Sequence, residues 1–151
     1  ALENVDTQYS RTRLNRSNSI ERLKAAVSYL LKAGFTGECI RLFVMVGLPG
    51  QTIEDVIRNI RFAWSLGCNV TLFPFTPIPG TQLHTENLET LHHLPLRSLH
   101  PSLFPCVNDP ASKDSLIALM GLGRLNRDLK SQAECFREVI TSPELLAALG
   151  A

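Results

Sequence analysis

Apolar and polar positions alternate along the first half of the chain in two different rhythms. Residues 18 to 33, "NSIERLKAAVSYLLKA", put Ile20, Leu23, Val27, Leu30 and Leu31 on one helical face with charged residues opposite. Asn18 and Glu21 stand at capping-box spacing, and Gly34 is placed to end the helix in a left-handed turn. The next segment, "CIRLFVMV" at 39 to 46, is too continuously apolar for a one-sided strand and predicts a strand covered on both faces. After Gly-Leu-Pro-Gly-Gln, residues 52 to 66 return to helical spacing, with Ile53, Val56, Ile57, Ile60 and Trp64 on one side. Thr52 is the expected N-cap, Asp55 closes its box, and Gly67 ends the helix before a second buried strand in "NVTLFPF". Helix, strand, helix and strand joined by short loops predict a parallel sheet with right-handed crossovers.

From Pro74 the pattern changes. "PFTPIPGT" packs three prolines and a glycine into eight residues, and all four histidines fall between positions 84 and 100. The segment is expected to be an ordered but irregular excursion. Helical spacing resumes in "KDSLIALMGLGRLNRDL", through Leu116, Leu119, Met120 and Leu122, weakened by Gly121 and Gly123. "SPELLAALG" ends the chain with Ser142 as a cap and Pro143 at the first helical position.

The totals narrow what this pattern can serve. At 151 residues and 44% hydrophobic the chain can bury one sizeable core. A net charge of +1 recruits neither nucleic acid nor an anionic membrane, so any anion site must be local. No apolar run reaches the ~20 residues of a bilayer span, and no signal peptide opens the chain. The expectation is a soluble, cytoplasmic protein. Cys39, Cys68, Cys106 and Cys135 form no close pair of the kind used by zinc ribbons or redox dithiols, and are expected to be reduced thiols. The abrupt "ALENV" start suggests a fragment of a longer chain.

Four features bear on chemistry. The "GLPGQT" turn is no Walker loop, having no lysine between Gly47 and Arg58, and lacks the third glycine of a Rossmann fingerprint. It offers flexible backbone at the C-terminal end of a strand, the face that carries ligand sites in parallel α/β architectures, and is equally compatible with a plain structural turn. Glu3 and Arg16 could together hold a zwitterion, although each by itself reads as a surface charge. His84, His92, His93 and His100 lack metal-ligand spacing, and adjacent histidines on a loop are expected to point apart. Phe73 and Phe75 share a strand face, as a hydrophobic wall or as a surface for a purine ring.

Taken in order, "ALE", "LNR", "AVSYLLKAGF", "FVMVGLPGQTIEDV" and "SLGCNVTLFPFTPIPGTQL" resemble the second half of the catalytic barrel of radical S-adenosylmethionine (radical SAM) enzymes. The nearest likeness is to the subgroup that often carries a cobalamin-binding domain upstream, and to methylthiotransferases. A G-L-P-G-x-T turn followed about 30 residues later by P-x-P-G-T carries the resemblance, which covers residues 1 to about 84. It implies an α/β fold: the last strands of an incomplete parallel (β/α) barrel at 1–84, an irregular Pro/His-rich connection at 85–110 and a helical C-terminal extension at 111–151.

The same resemblance implies S-adenosylmethionine and a four-iron, four-sulfur cluster in the parent protein, with cobalamin as a further cofactor to test for. It places Glu3 and Arg16 near the cofactor's ribose and methionine part, Val46 and Gly47 beside the adenine, and Phe73 to Phe75 on its other side. Pro77, Pro79 and Gly80 match the turn closing that rim. The cluster's C-x3-C-x2-C loop is not in this sequence, so these residues alone are expected to be inactive without the N-terminal half of the barrel. The rival expectation is a non-catalytic α/β module, or a degenerate barrel, that docks a partner protein.

Overall fold

The structure is a computed structural model, and it describes residues 2, 5–12, 14, 20–128, 134, 137, 138 and 140–148. Among them α1 (Thr7–Thr12) and α2 (Ile20–Lys32) precede strand β1 (Arg41–Val46); α3 (Ile53–Ser65) leads to β2 (Asn69–Pro74). The excursion holds α4 (Gln82–Glu86), α5 (Leu88–Leu91) and two 3-10 turns, Leu96–Leu99 and Pro101–Leu103. Helices α6 (Pro110–Asp128) and α7 (Pro143–Ala148) follow.

The two strands pair in parallel, from Arg41 opposite Asn69 to Val46 opposite Pro74. Leu2 bridges Val44 on the other edge of β1, also in parallel, with its N–H donating to Phe43 O at 2.7 Å and its carbonyl accepting from Met45 N at 3.2 Å. Segments consecutive in the chain are thus neighbours in space. The architecture is α/β with a small parallel sheet; the described residues contain no closed barrel.

Both crossover helices end as their glycines predict. At the end of α2, Phe35 N donates to Leu30 O and Gly34 N to Leu31 O; at the end of α3, Cys68 N donates to Ala63 O and Gly67 N to Trp64 O. These are paired Schellman bonds, with Gly34 and Gly67 at positive φ. Helix α3 also begins as expected. Thr52 Oγ1 accepts from Asp55 N and Asp55 Oδ2 accepts from Thr52 N, each at 3.1 Å.

One core forms on one side of the sheet. Leu42, Val44, Val46, Val70 and Leu72 pack with Val27 of α2, with Ile53, Val56, Ile57 and Ile60 of α3, and with Leu116 and Leu119 of α6. Fully burying each such aliphatic side chain stabilises the fold by about 1.5–3 kcal/mol relative to leaving it exposed. Two expectations need correction here. The strands are covered on one face, because both crossover helices pack on the same side and alternate residues point away from them. Of the proposed apolar face of α2 only Val27 is buried; Leu30 and Leu31 are exposed, since the helix meets the core through its first two turns. Asn18 lies outside the described residues.

Candidate functional site

The C-terminal ends of β1 and β2 converge on the "GLPGQT" turn, the strand end at Phe73–Phe75 and the start of the excursion. The turn is braced from within. Gln51 Nε2 donates to Met45 O at 3.1 Å while its Oε1 accepts from Leu48 N at 3.3 Å, and Leu48 is buried. Tyr9 of α1 donates its hydroxyl to Pro49 O at 2.8 Å. Backbone groups at Met45, Leu48 and Pro49 are therefore bonded to this chain's own side chains.

Gly47, at φ 78, admits a close approach, and the group that makes it is Phe104. A Cβ added at Gly47 would stand 2.5 Å from Phe104 Cδ1. Phe104 is 2% exposed and sits at φ 43, a left-handed conformation that costs an aromatic residue on the order of 1 kcal/mol or more. The ring holds the excursion against the strand end, which offsets that strain. No feature of the local sequence marked Phe104; its partner is far away in the chain.

The sequence-predicted residues divide sharply. Glu3 and Arg16 lie outside the described residues. Val46 turns its side chain into the core, and its carbonyl accepts from Phe75 N at 2.8 Å. Phe75 is half-buried against a second small cluster formed by Leu91, Leu99 and Cys106 of the excursion. Phe73 stays 55% exposed and meets Phe43, itself 45% exposed, edge to face at 6.2 Å and 88°. Beside them, Thr71 Oγ1 is buried without a hydrogen-bond partner. The structure therefore brings Phe73 together with Phe43 and the partly buried Met45 on the sheet face that the described helices do not cover, with Phe75 at its upper edge.

A cavity of about 620 Å³ lies behind the turn, between the starts of α3 and α6, lined by Gly50, Gln51, Thr52, Asp109, Ser112 and Ser115. Each helix start is already satisfied by a carboxylate. Thr52 caps α3 with the Asp55 carboxylate closing its box; Asp109 Oδ2 accepts from both Ser112 N and Ser112 Oγ at 2.7 Å. The Ser112 hydroxyl and then its N–H hold the Asp109 carboxyl below the ordinary range. Two carboxylates on capped helix ends do not favour an anion.

The excursion departs from expectation at its histidines. His92 and His93 lie together with ring centroids 3.4 Å apart and planes tilted by 46°, and His92 Nδ1 lies 2.7 Å from Leu88 O, which places a proton on Nδ1 because a carbonyl only accepts. Among the described residues no group of three or more His, Cys, Asp or Glu side chains could hold a metal ion. Cys39 is an exposed free thiol; Cys68 and Cys106 are buried free thiols, and burial pushes Cys106 up to about 11. Cys135 lies outside the described residues. No helix among the described residues is long and apolar enough to cross a membrane.

Comparison with protein-family models, with curated proteins and with solved structures gives no match to this chain.

Proposed function

We propose that this chain supplies part of a cytoplasmic radical SAM enzyme, the segment of the (β/α) barrel that faces the adenosine of S-adenosylmethionine. The observation that supports it most is the one-sided sheet. Leu2, β1 and β2 run parallel in chain order, the crossover helices share one face, and the opposite face presents Phe43, Met45 and Phe73. In a (β/α) barrel the face away from the helices is enclosed by the other strands, so a barrel segment is covered by its own helices on one face only. Here the other face carries Arg41, Asn69 and Thr71 toward the strand starts and its aromatic residues toward the strand ends.

The residues present fit the adenine part of the cofactor. Phe73 offers an accessible ring at the C-terminal end of β2, braced edge-on by Phe43, and Phe75 is held in place by the excursion. Gly47 contributes by seating Phe104, and Val46 through its backbone. Arg16 and Glu3 are proposed to meet the methionine carboxylate and the polar groups beside it. With its iron–sulfur cluster, bound S-adenosylmethionine supplies a 5'-deoxyadenosyl radical. The cluster-binding cysteine spacing is not among this chain's four cysteines, so cluster assembly is assigned to other parts of the enzyme. This chain's residues bind and orient the nucleoside and exclude water from its purine face.

Amide NMR of the full chain titrated with S-adenosylmethionine tests the reading. The expected perturbations centre on Phe73 and Phe75, and Phe73→Ser removes them. Silence at millimolar ligand, or perturbations confined to the helix-covered face, would overturn it.

A further inference from the structure

Beyond the strand ends, the loop following β2 faces the first 3-10 turn of the excursion across a groove of about 340 Å³. Pro77 and Leu99 are buried at its base, while Ile78 and Leu96 stand 62% and 77% exposed. The walls are tied locally: Thr81 Oγ1 donates to Ile78 O at 2.7 Å, and Ser98 N donates to Pro95 O at 2.7 Å. Arg97 and His100 complete the lining, which contains no carboxylate. Arg97 has no ion pair among the described residues.

Two physical points choose the occupant. A site for a small molecule encloses most of its ligand, whereas this groove leaves its largest apolar side chains standing on the surface. Apolar rims with an adjacent unpaired guanidinium suit an extended amphipathic surface, with the guanidinium forking onto a carboxylate. Since the whole chain carries only +1, the attraction for acidic groups is a property of this groove and not of bulk charge.

We propose that the groove docks an acidic amphipathic helix of a partner protein, with the helix's apolar face on Ile78, Leu96 and Leu99 and a carboxylate on Arg97. The proposal does not depend on the adenosine reading, because it uses neither Phe73 nor Phe75.

The test uses the full chain and a fluorescein-labelled helical peptide of leucines at helical spacing and glutamates elsewhere, read by anisotropy. A second peptide carries lysine for glutamate, and dodecanoate serves as a small apolar anion. The glutamate peptide is expected to bind and the lysine peptide not. Arg97→Glu should weaken binding about tenfold or more, and Leu96→Ser should also weaken it. Both variants are exposed and should melt with the unaltered chain. No binding of the glutamate peptide, equal binding of the lysine peptide, or indifference to Arg97→Glu would overturn the proposal. So would displacement by dodecanoate, which would make the groove a site for a small anion.

Discussion

On one face of the β1–β2 sheet, Leu42, Val44, Val46, Val70 and Leu72 lie beneath α3 and α6; on the other, Phe43 and Phe73 meet edge to face, half in solvent. The residues alternate along the same strands, the covered positions all aliphatic and the others mixing Phe43, Met45 and Phe73 with Arg41, Asn69 and Thr71. What covers the aliphatic face is the return of the crossover helices, which pack on that side; the polar residues of the other face lie toward the strand starts and its aromatic residues toward the strand ends. Aromatic side chains left exposed at a strand end by the described residues mark a place where a ligand or further protein is expected, and the proposed adenosine site is read from them.

The strongest way to break the comparison is to truncate one residue beneath each face. Ile60, fully buried under the sheet, should lose about 2–5 kcal/mol of stability on Ile60→Ala in urea unfolding, whereas Phe73→Ser should cost no more than about 1 kcal/mol. Equal losses would mean that the second face is an interior too.

The junction between the faces and the excursion is next. Gly47→Ala should destabilise by about 1–3 kcal/mol, through the clash with Phe104 and the positive φ. In a Phe104→Ala background the same substitution should cost measurably less, since the clash is gone and only the backbone strain remains. Additive costs would show that the ring does not rest on Gly47.

A smaller effect separates the covering helix from what it covers. Thr52→Ala should lower stability by about 1 kcal/mol, because Asp55 N loses its acceptor, while Phe73-dependent nucleoside contacts should persist. The smallest is a pH effect at the start of α6. The Asp109 carboxyl titrates below its ordinary value of 3.8 in the folded chain, so its stabilising contribution is complete above that value and is lost as pH falls through the folded value. Asp109→Asn should flatten the acid limb of thermal stability by lowering the neutral plateau slightly, with little change in acid.

Much of the scaffold was legible because its signals are local. Thr52 and Asp55 stand three residues apart, Gly34 and Gly67 follow the last periodic positions of their helices, and Pro143 follows Ser142 at the start of α7; each interaction closes within one turn of the chain. Less of the site was legible. Of the two glycines of "GLPGQT", Gly50 faces open space, whereas the room at Gly47 is taken by Phe104, 57 positions later. Gln51 could have been suspected as a brace, since its amide can donate and accept at once, but only the turn's geometry shows both bonds. Leu30 and Leu31 have helical core spacing and yet are exposed, because periodicity reports that a face is apolar and not how much of it finds a neighbour.

The sequence by itself determined where α3 begins, where α2 and α3 end, that parallel strands alternate with them, and that a proline-rich excursion follows, because capping, φ preferences and periodicity act within a few residues. Tertiary structure alone decided that both crossover helices cover the same strand face, that Phe104 lies against Gly47, and that Ile78 and Leu96 flank one groove with Arg97. Those outcomes depend on contacts between residues distant in the chain, and such contacts follow from the path of the crossovers rather than from any local pattern.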